Sequence, residues 1–414
     1  MVSRRSFLQA AGLAAVGSAT ALAGCSSSCP DSGAPTPSTV LTPDSTPVAA
    51  DLGVTTDWPT FHHDAANTGY ATDATPPSDP ALSWRAAVPS DGRPSAPVVA
   101  NGAVYVRDGV GGLHALDVTD GTERWTVETT RAPETWFAGG GSPTAHGGHV
   151  FVAGRDGVFA VDAADGTVAW SDSLAATDSA VVAGGSVFVP TDGALAAYDA
   201  ATGERRWRVS DFDGPVSRPA VAAGTVFAVG SDLVALASAD GVEQWRRTVG
   251  ASPTDLGFPV VADGSVFVGT YEGLVAYAPE SGEVQWRFER GSGRGFTPPV
   301  VTPESLYTVE QPGEGPAAVY ALDPDTGEPR PRWCSWIGEG AVGAATDDRV
   351  FAEVPAPDEA DVSGREVQTF RSDTGAATWQ FRASEWVGAP AVVDGAVVFT
   401  TGRGDVCAVG GDQQ

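Results

Sequence analysis

Between Pro97 and Val409 the chain is a succession of short runs in which Val, Phe, Ala, Leu and Tyr fall on alternate positions, separated by turns of Gly, Asp and Asn. A period of two with β-branched and aromatic residues predicts strands, and helical periodicity is absent. Ala96–Glu128 parses into four of them. Pro97–Ala100 is followed by an Asn101-Gly102 hairpin turn that accepts positive φ, then by Ala103–Val106, a loop around Asp108–Gly112, Leu113–Asp117, an Asp120-Gly121 turn and Thr122–Glu128. The unit is a four-stranded antiparallel meander.

The same plan returns along the chain. A Gly followed four residues later by Trp occurs at Gly121/Trp125, Gly166/Trp170, Gly203/Trp207, Gly241/Trp245, Gly282/Trp286 and Gly375/Trp379, and a stretched copy joins Gly327 to Trp333. Second strands recur at Val150–Val152, Ser186–Val189, Val226–Val229, Val266–Val268, Leu306–Val309 and Val350–Val354. After Trp379 come Ala391–Val393, Val397–Thr400 and Val406–Val409, with no further Trp strand, whereas Leu82–Ala86 carries Trp84 with no three strands before it. The economical solution joins the two: residues 81–88 complete the last sheet, which closes a ring and hides both edges. The predicted fold is all-β, an eight-bladed propeller of four-stranded antiparallel blades.

A Trp in every outer strand, at 84, 125, 170, 207, 245, 286, 333 and 379, is expected to pack rather than to bind, because its ring can span from one blade to the next over a small residue. Ala115, Ala160, Ala197, Ala235, Ala276, Ala321 and Ala408 on the third strands are the small residues expected to receive it.

The unit of Ala, an aliphatic or aromatic residue and Asp, followed by Gly-x-x-x-Trp, resembles the pyrroloquinoline-quinone-like repeat of quinoprotein dehydrogenases and of a lipoprotein scaffold in bacterial outer-membrane assembly. The resemblance covers about residues 58–414, and Trp58–Tyr70 is similar to the lead-in before the first blade of many such proteins, archaeal ones especially. Ala237, Ala278, Arg371 and Gly410 stand where the repeat has Asp. For a dehydrogenase the resemblance implies quinone, calcium, a catalytic Asp, a stacking Trp and often adjacent cysteines. The chain has no adjacent cysteines, and no base can be placed by motif.

Charge narrows the partners. Lys and Arg together number 24, all of them Arg, against 52 Asp and Glu, for a net charge of −28. Such a surface argues against neutralising nucleic-acid phosphates and is that of a halophile. Ser3–Leu8, with Arg4-Arg5, resembles a twin-arginine export signal, and Leu22-Ala23-Gly24-Cys25 a lipobox that would make Cys25 a lipidated first residue. The expected organisation is a signal peptide over 1–24, a disordered Ser/Thr/Pro-rich stalk over 25–56 and a propeller over 57–414, outside the cell and touching the membrane only through Cys25.

Candidate chemistry is sparse. His62-His63-Asp64 is the densest group of metal-ligand types, but adjacent side chains in extended chain point opposite ways, so no metal is expected. Alternation of strand direction brings the fourth-to-first and second-to-third loops to one face of the disc. That face collects Trp136, Phe137, Phe212, Phe296, Trp336 and Trp386 together with Asp108, Asp156, Asp192, Asp232 and Glu272, either as a contact surface or as covers over the blade ends. The expected function is a monomeric, non-enzymatic, lipid-anchored scaffold for an unidentified extracytoplasmic or membrane protein, with no cofactor. A quinone- and calcium-dependent dehydrogenase and a cell-surface glycan-binding protein are the alternatives.

Overall fold

The computed structural model describes residues 37–48, 52–89, 93–133, 141–249, 257–289, 295–311, 317–336, 340–355, 365–383 and 386–411. Most of these residues form eight antiparallel meanders, numbered in chain order as blades 1 to 8, the first seven spanning Val98–Glu128, Thr144–Asp172, Val181–Val209, Ala220–Thr248, Val260–Glu289, Gly295–Trp336 and Ala341–Arg382. The innermost strands of neighbouring blades touch all the way round, last to first included. The eighth blade runs Ala391–Val393, Ala396–Thr400, Asp405–Gly411 and then Pro80–Ala87, with Trp84 opposite Ala408. The ring is therefore closed by the N-terminal Trp strand, as the leftover strands at the two ends require. Asn101 and Gly102 take φ of 52° and 70°, the paired left-handed geometry of a tight hairpin.

Three residues cooperate in each blade-to-blade joint. A register shift beside every Trp turns its side chain toward the following blade. Seven indoles donate to a backbone carbonyl there: Trp84 to Val118, Trp125 to Ala163, Trp170 to Ala200, Trp207 to Ser238, Trp245 to Pro279, Trp286 to Pro324 and Trp333 to Ser372, at 2.7 to 3.0 Å. Under each ring lies the repeat's glycine, as Gly121 lies under Trp84 and Gly166 under Trp125. This corrects the expected role of the alanines. Ala115, Ala160, Ala197, Ala235 and Ala276 face the Trp of their own blade across the sheet, and the residue that admits a neighbour's ring is the glycine.

Loss of the repeat's Asp is tolerated because the turn is held by backbone. Gly121 N donates to Asp117 O at 2.9 Å, and Gly241 to Ala237, Gly282 to Ala278 and Gly375 to Arg371 do the same at 2.9, 2.8 and 2.9 Å.

The joint between blades 7 and 8 departs from the pattern. Pro80 stands four residues before Trp84, where six of the other seven blades have Gly. Trp379, 2% exposed, has no acceptor for its indole N–H among the described residues and packs edge-on against Phe351 and Phe399 instead. A strand over Thr39–Leu41 adds in parallel to the outer edge of blade 7, in register with Trp379–Phe381, and Val48 N then donates to Leu82 O of blade 8. Residues 37–48 thus strap the closing joint. The expectation of an unstructured stalk is corrected for this segment, because Leu41 is buried and the unpaired edge of blade 7 offers its backbone groups partners.

Candidate functional site

Two regions bear on function, the axis of the disc and the face built from the fourth-to-first and second-to-third loops. The lead-in Trp58–Ala71 fills the axis. Its backbone bonds to blade 1 through Trp58 and Val99 (2.7 and 2.9 Å), to blade 2 through Pro59 and Ala145 (2.7 Å), and to blades 4, 5 and 6 through Ala65, Ala66 and Thr68 with Val221, Val261 and Val301 (2.7, 2.9 and 2.9 Å). Gly69 and Ala71 bond Ala345 of blade 7, and Thr75 bonds Gly395 of blade 8. Residues 58–75 are in this way hydrogen-bonded to seven blades, six of them through Trp58–Ala71.

Arg218 locks it. The residue precedes the first strand of blade 4, is fully buried, and sends Nε to Asn67 Oδ1 (2.7 Å), Nη2 to Thr60 Oγ1 and Phe61 O (2.8 and 3.1 Å) and Nη1 to Ala180 O of blade 3 (3.4 Å). Its guanidinium lies 5.9 Å from the Phe61 ring. Asn67, with φ of 62°, donates through Nδ2 to Pro219 O and Pro259 O, both at 3.0 Å. Burial lowers Arg218 to about 10, with Asp178 and Asp64 opposing the shift, so the side chain stays charged at neutral pH. Burial raises Asp178, which accepts the backbone N–H groups of Ser179 and Arg218.

The His62-His63-Asp64 group is part of this plug. His62 and His63 have φ of 56° and 71°. The His62 ring lies between Phe61 and Phe258 at 4.7 and 4.8 Å, and Nδ1 donates its proton to Asn67 O at 3.3 Å. Burial drops His62 to about 4, which keeps it neutral. His63 packs on Trp58, and Asp64 accepts from Thr68 N and Oγ1 at 3.0 and 2.5 Å. His63 Nδ1 lies 3.9 Å from Asp64 Oδ2 while His62 is held apart by Phe61 and Phe258, and no set of three His, Cys, Asp or Glu among the described residues is placed to hold a metal.

On the loop face the predicted residues separate. Phe212 is 9% exposed under Arg246, and Phe296 is 4% exposed against Phe288 and Tyr320, so both cover blade ends. Asp108 is buried, its Oδ1 accepting from the amides of Val110, Gly111 and Gly112 and its Oδ2 lying 3.2 Å from His114 Nε2. Glu123 holds the other nitrogen of that ring at 3.1 Å, which makes a structural chain within blade 1. Asp156 and Asp192 are exposed, Asp156 paired with Arg131. Trp386 is half-buried beside Arg93, 5.7 Å from its ring. Cys25, Trp136 and Phe137 lie outside the described residues, as does the side chain of Trp336. Arg218, Asn67 and the strap carried no sequence signal, since each acts through partners on distant blades. An Asn two residues before Gly69 in a lead-in without periodicity was the one available hint of a special turn.

Comparison with known proteins agrees with this architecture. The chain is 28% identical over 334 residues to the quinohemoprotein alcohol dehydrogenase of Comamonas testosteroni, with 74% of this chain and 43% of that protein covered. It is 31% identical over 241 residues to the outer membrane protein assembly factor BamB of Escherichia coli, with 52% and 60% covered. The chain spans less than two thirds of the length of either relative. Among solved structures, BamB of Moraxella catarrhalis superposes with a TM-score of 0.60 at 16% identity, over 81% of this chain and 98% of that one. The Comamonas alcohol dehydrogenase does so with 0.66 at 16%, over 88% and 82%. A family model matches residues 64–181 and 132–330, more than half of the chain, and by that match the protein belongs to the PQQ-like repeat family described as outer membrane protein assembly factor BamB.

Proposed function

We propose that this propeller is an extracytoplasmic scaffold, tethered through Cys25, that binds a protein partner with the loop face around Trp386. The observation that carries the reading is the filled axis: the chain's own lead-in occupies the place where a propeller holds a small ligand, which leaves the non-repeating loops as the surface free to vary. The similarity to BamB, named for outer membrane protein assembly, supports a protein-binding role. Extracytoplasmic tethering rests on Arg4-Arg5 and the Leu22–Cys25 lipobox.

The alcohol dehydrogenase similarity favours a second reading, a quinone enzyme. Against it stands the chemistry of the axis. Phe61, His62, Asn67, Phe258 and Arg218 pack there, Asn67 Oδ1 accepts from Arg218, and the nearby carboxylates are already engaged, Asp64 by Thr68 and Asp178 by two amides, while no set of three His, Cys, Asp or Glu among the described residues is placed to hold a metal. The described residues of the axis do not fit that group.

Affinity capture of the tethered protein from native membranes in molar salt tests the scaffold reading. A defined partner retained by the wild type and lost on joint substitution of Trp136, Trp336 and Trp386 by Ala is the expected result. An unchanged set of captured proteins refutes the contact face. Dye reduction with alcohols or sugars after addition of quinone and calcium would establish the enzyme reading in its place.

A further inference from the structure

The strap over the joint of blades 7 and 8 roofs a pocket of about 280 Å³. Thr42, Pro43 and Asp44 of the strap form one wall, Arg382 and Ala383 at the end of blade 7's outer strand a second, and Arg85 with Thr401, Arg403 and Asp405 of blade 8 the third. Three of nine lining residues are Arg, in a chain whose acids outnumber its arginines 52 to 24. That enrichment needs a cause.

Two of the three carboxylates here sit behind the guanidiniums, and the third, Asp44, meets Arg85 from the strap. Asp405, its side chain 7% exposed, accepts from Arg85 Nε at 2.8 Å, and Glu366, 3% exposed, pairs with Nε of Arg382. The two arginines are themselves 40% and 41% exposed. Buried acids therefore hold both guanidiniums at Nε, and Nη1 of Arg85 also reaches Pro43 O and Asp44 of the strap at 3.4 and 3.3 Å, exposed contacts that an incoming anion would have to displace. Among the described residues Arg382 has no second carboxylate, and the other acid of the pocket, Asp44, is on the strap, 90% exposed and paired with Arg85. Arg403, exposed at the tip of a turn whose ends Thr401 and Asp405 are buried, adds a third cation. A carboxylate ligand is satisfied by one bidentate Arg, whereas three guanidiniums converging from separate elements suit the oxygens of a tetrahedral anion.

We propose that this pocket binds a phosphate group, carried by a small phosphate ester or by a lipid headgroup. The size fits a phosphate with a few further atoms. The strap runs toward the N-terminal side of the chain, so a headgroup bound here would set the rim at blades 7 and 8 against the membrane.

Calorimetric titration of the full chain, in potassium chloride free of phosphate and sulfate, tests the proposal with inorganic phosphate, glycerol 1-phosphate and succinate as probes. Saturable binding of both phosphates at one site is expected, with succinate at least tenfold weaker. Arg403→Gln alone and together with Arg382→Gln should each weaken the phosphates about tenfold or more, and Arg131→Gln, far from the pocket, should leave them unchanged. The single variant keeps the test valid if loss of the Glu366 partner impairs folding. No saturable phosphate binding, equal binding of succinate, or equal affinity in the Arg403 variant would overturn the proposal. Flotation with phosphatidylglycerol vesicles separates the two sources: flotation lost in the double variant and competed by glycerol 1-phosphate identifies a headgroup, and flotation indifferent to both identifies a soluble ester.

Discussion

A Cβ placed on Gly121 would lie 2.5 Å from Cε3 of Trp84, and Gly121 has φ of 72°, so one glycine meets two demands, left-handed backbone and a neighbour's indole. The demands can be separated. Gly184 has φ of 55° with nothing within 4 Å of its Cβ position, and Gly375 has φ of 67° with Trp333 at 3.3 Å. Alanine at Gly184 should cost about 1–2 kcal/mol, the left-handed penalty alone. Gly121→Ala should add about 1–3 kcal/mol for displacing the ring, and Gly375→Ala should fall between. Thermal melts of the three variants give the order. A cost at Gly184 equal to that at Gly121 would mean that the ring contact contributes nothing.

This distinction explains what the sequence reveals and what it hides. Gly121, Trp125 and their copies are legible because each blade repeats the same local demand, and repetition exposes it. The blade count and the closure through Trp84 follow from that. Arg218 and Asn67 are illegible because they make a single unrepeated contact across residues 151 apart in sequence. Phe212 and Phe296 were placed on the correct loops by strand alternation, yet whether a loop aromatic points out or folds down over Gly230 or Phe288 depends on packing that no periodicity encodes. The strap at Thr39–Leu41 was hidden for another reason: its composition is that of a linker, and its order comes from an unpaired edge 340 residues away.

The joint of blades 7 and 8 differs chemically from its neighbours. Trp286 donates to Pro324 O at 2.9 Å, whereas Trp379 has no acceptor among the described residues. Both are buried, so replacing either by Phe removes similar apolar area. Trp286→Phe should cost about 1 kcal/mol more than Trp379→Phe, the net value of one hydrogen bond. Denaturant midpoints at constant m-value measure the difference. Equal costs would assign the joint's strength to ring packing alone.

Arg218 should be the most sensitive side chain on the axis. Its donors reach Asn67, Thr60, Phe61 and Ala180, and no lysine could serve four acceptors spread over a planar fork. Arg218→Met should lose about 3–5 kcal/mol, because buried acceptors and the nearby Asp178 carboxylate are left without their cation, and Arg218→Lys, which keeps the charge but not the planar fork, should lose less. Hydrogen exchange should report it locally, with the amides of Val221 and Val261, which bond the lead-in, losing protection before those of the outer strands. Uniform loss of protection would show that the plug and ring unfold as one unit.

One hairpin carries avoidable strain. Ala223 begins the turn between the first two strands of blade 4 with φ of 47°, where blade 1 has Asn101 at 52°. Ala223→Asn should raise stability by about 0.5–1 kcal/mol, since Asn tolerates the left-handed region better. A melting temperature that is unchanged or lower would indicate that the Ala side chain makes a packing contribution of equal size.

His62 sets an acid limit on the plug. Its folded value of about 4 lies below the ordinary 6.5 because burial among Phe61, Phe258 and the Arg218 cation opposes protonation, with the Asn67 carbonyl and Asp64 acting the other way. A depressed value means that the unfolded chain takes up the proton first. The contribution of His62 is therefore whole above pH 6.5 and is lost as the pH falls toward 4, by about 3 kcal/mol in total. His62→Gln cannot take up that proton, and its strain at positive φ is the same at every pH. The stability difference between wild type and variant, followed from pH 7 to pH 4 at fixed molar salt, should shrink by about that amount while the shared titration of the carboxylates cancels. A difference that stays constant across the window would place the His62 ring in contact with water, and the plug it anchors would then be open to solvent.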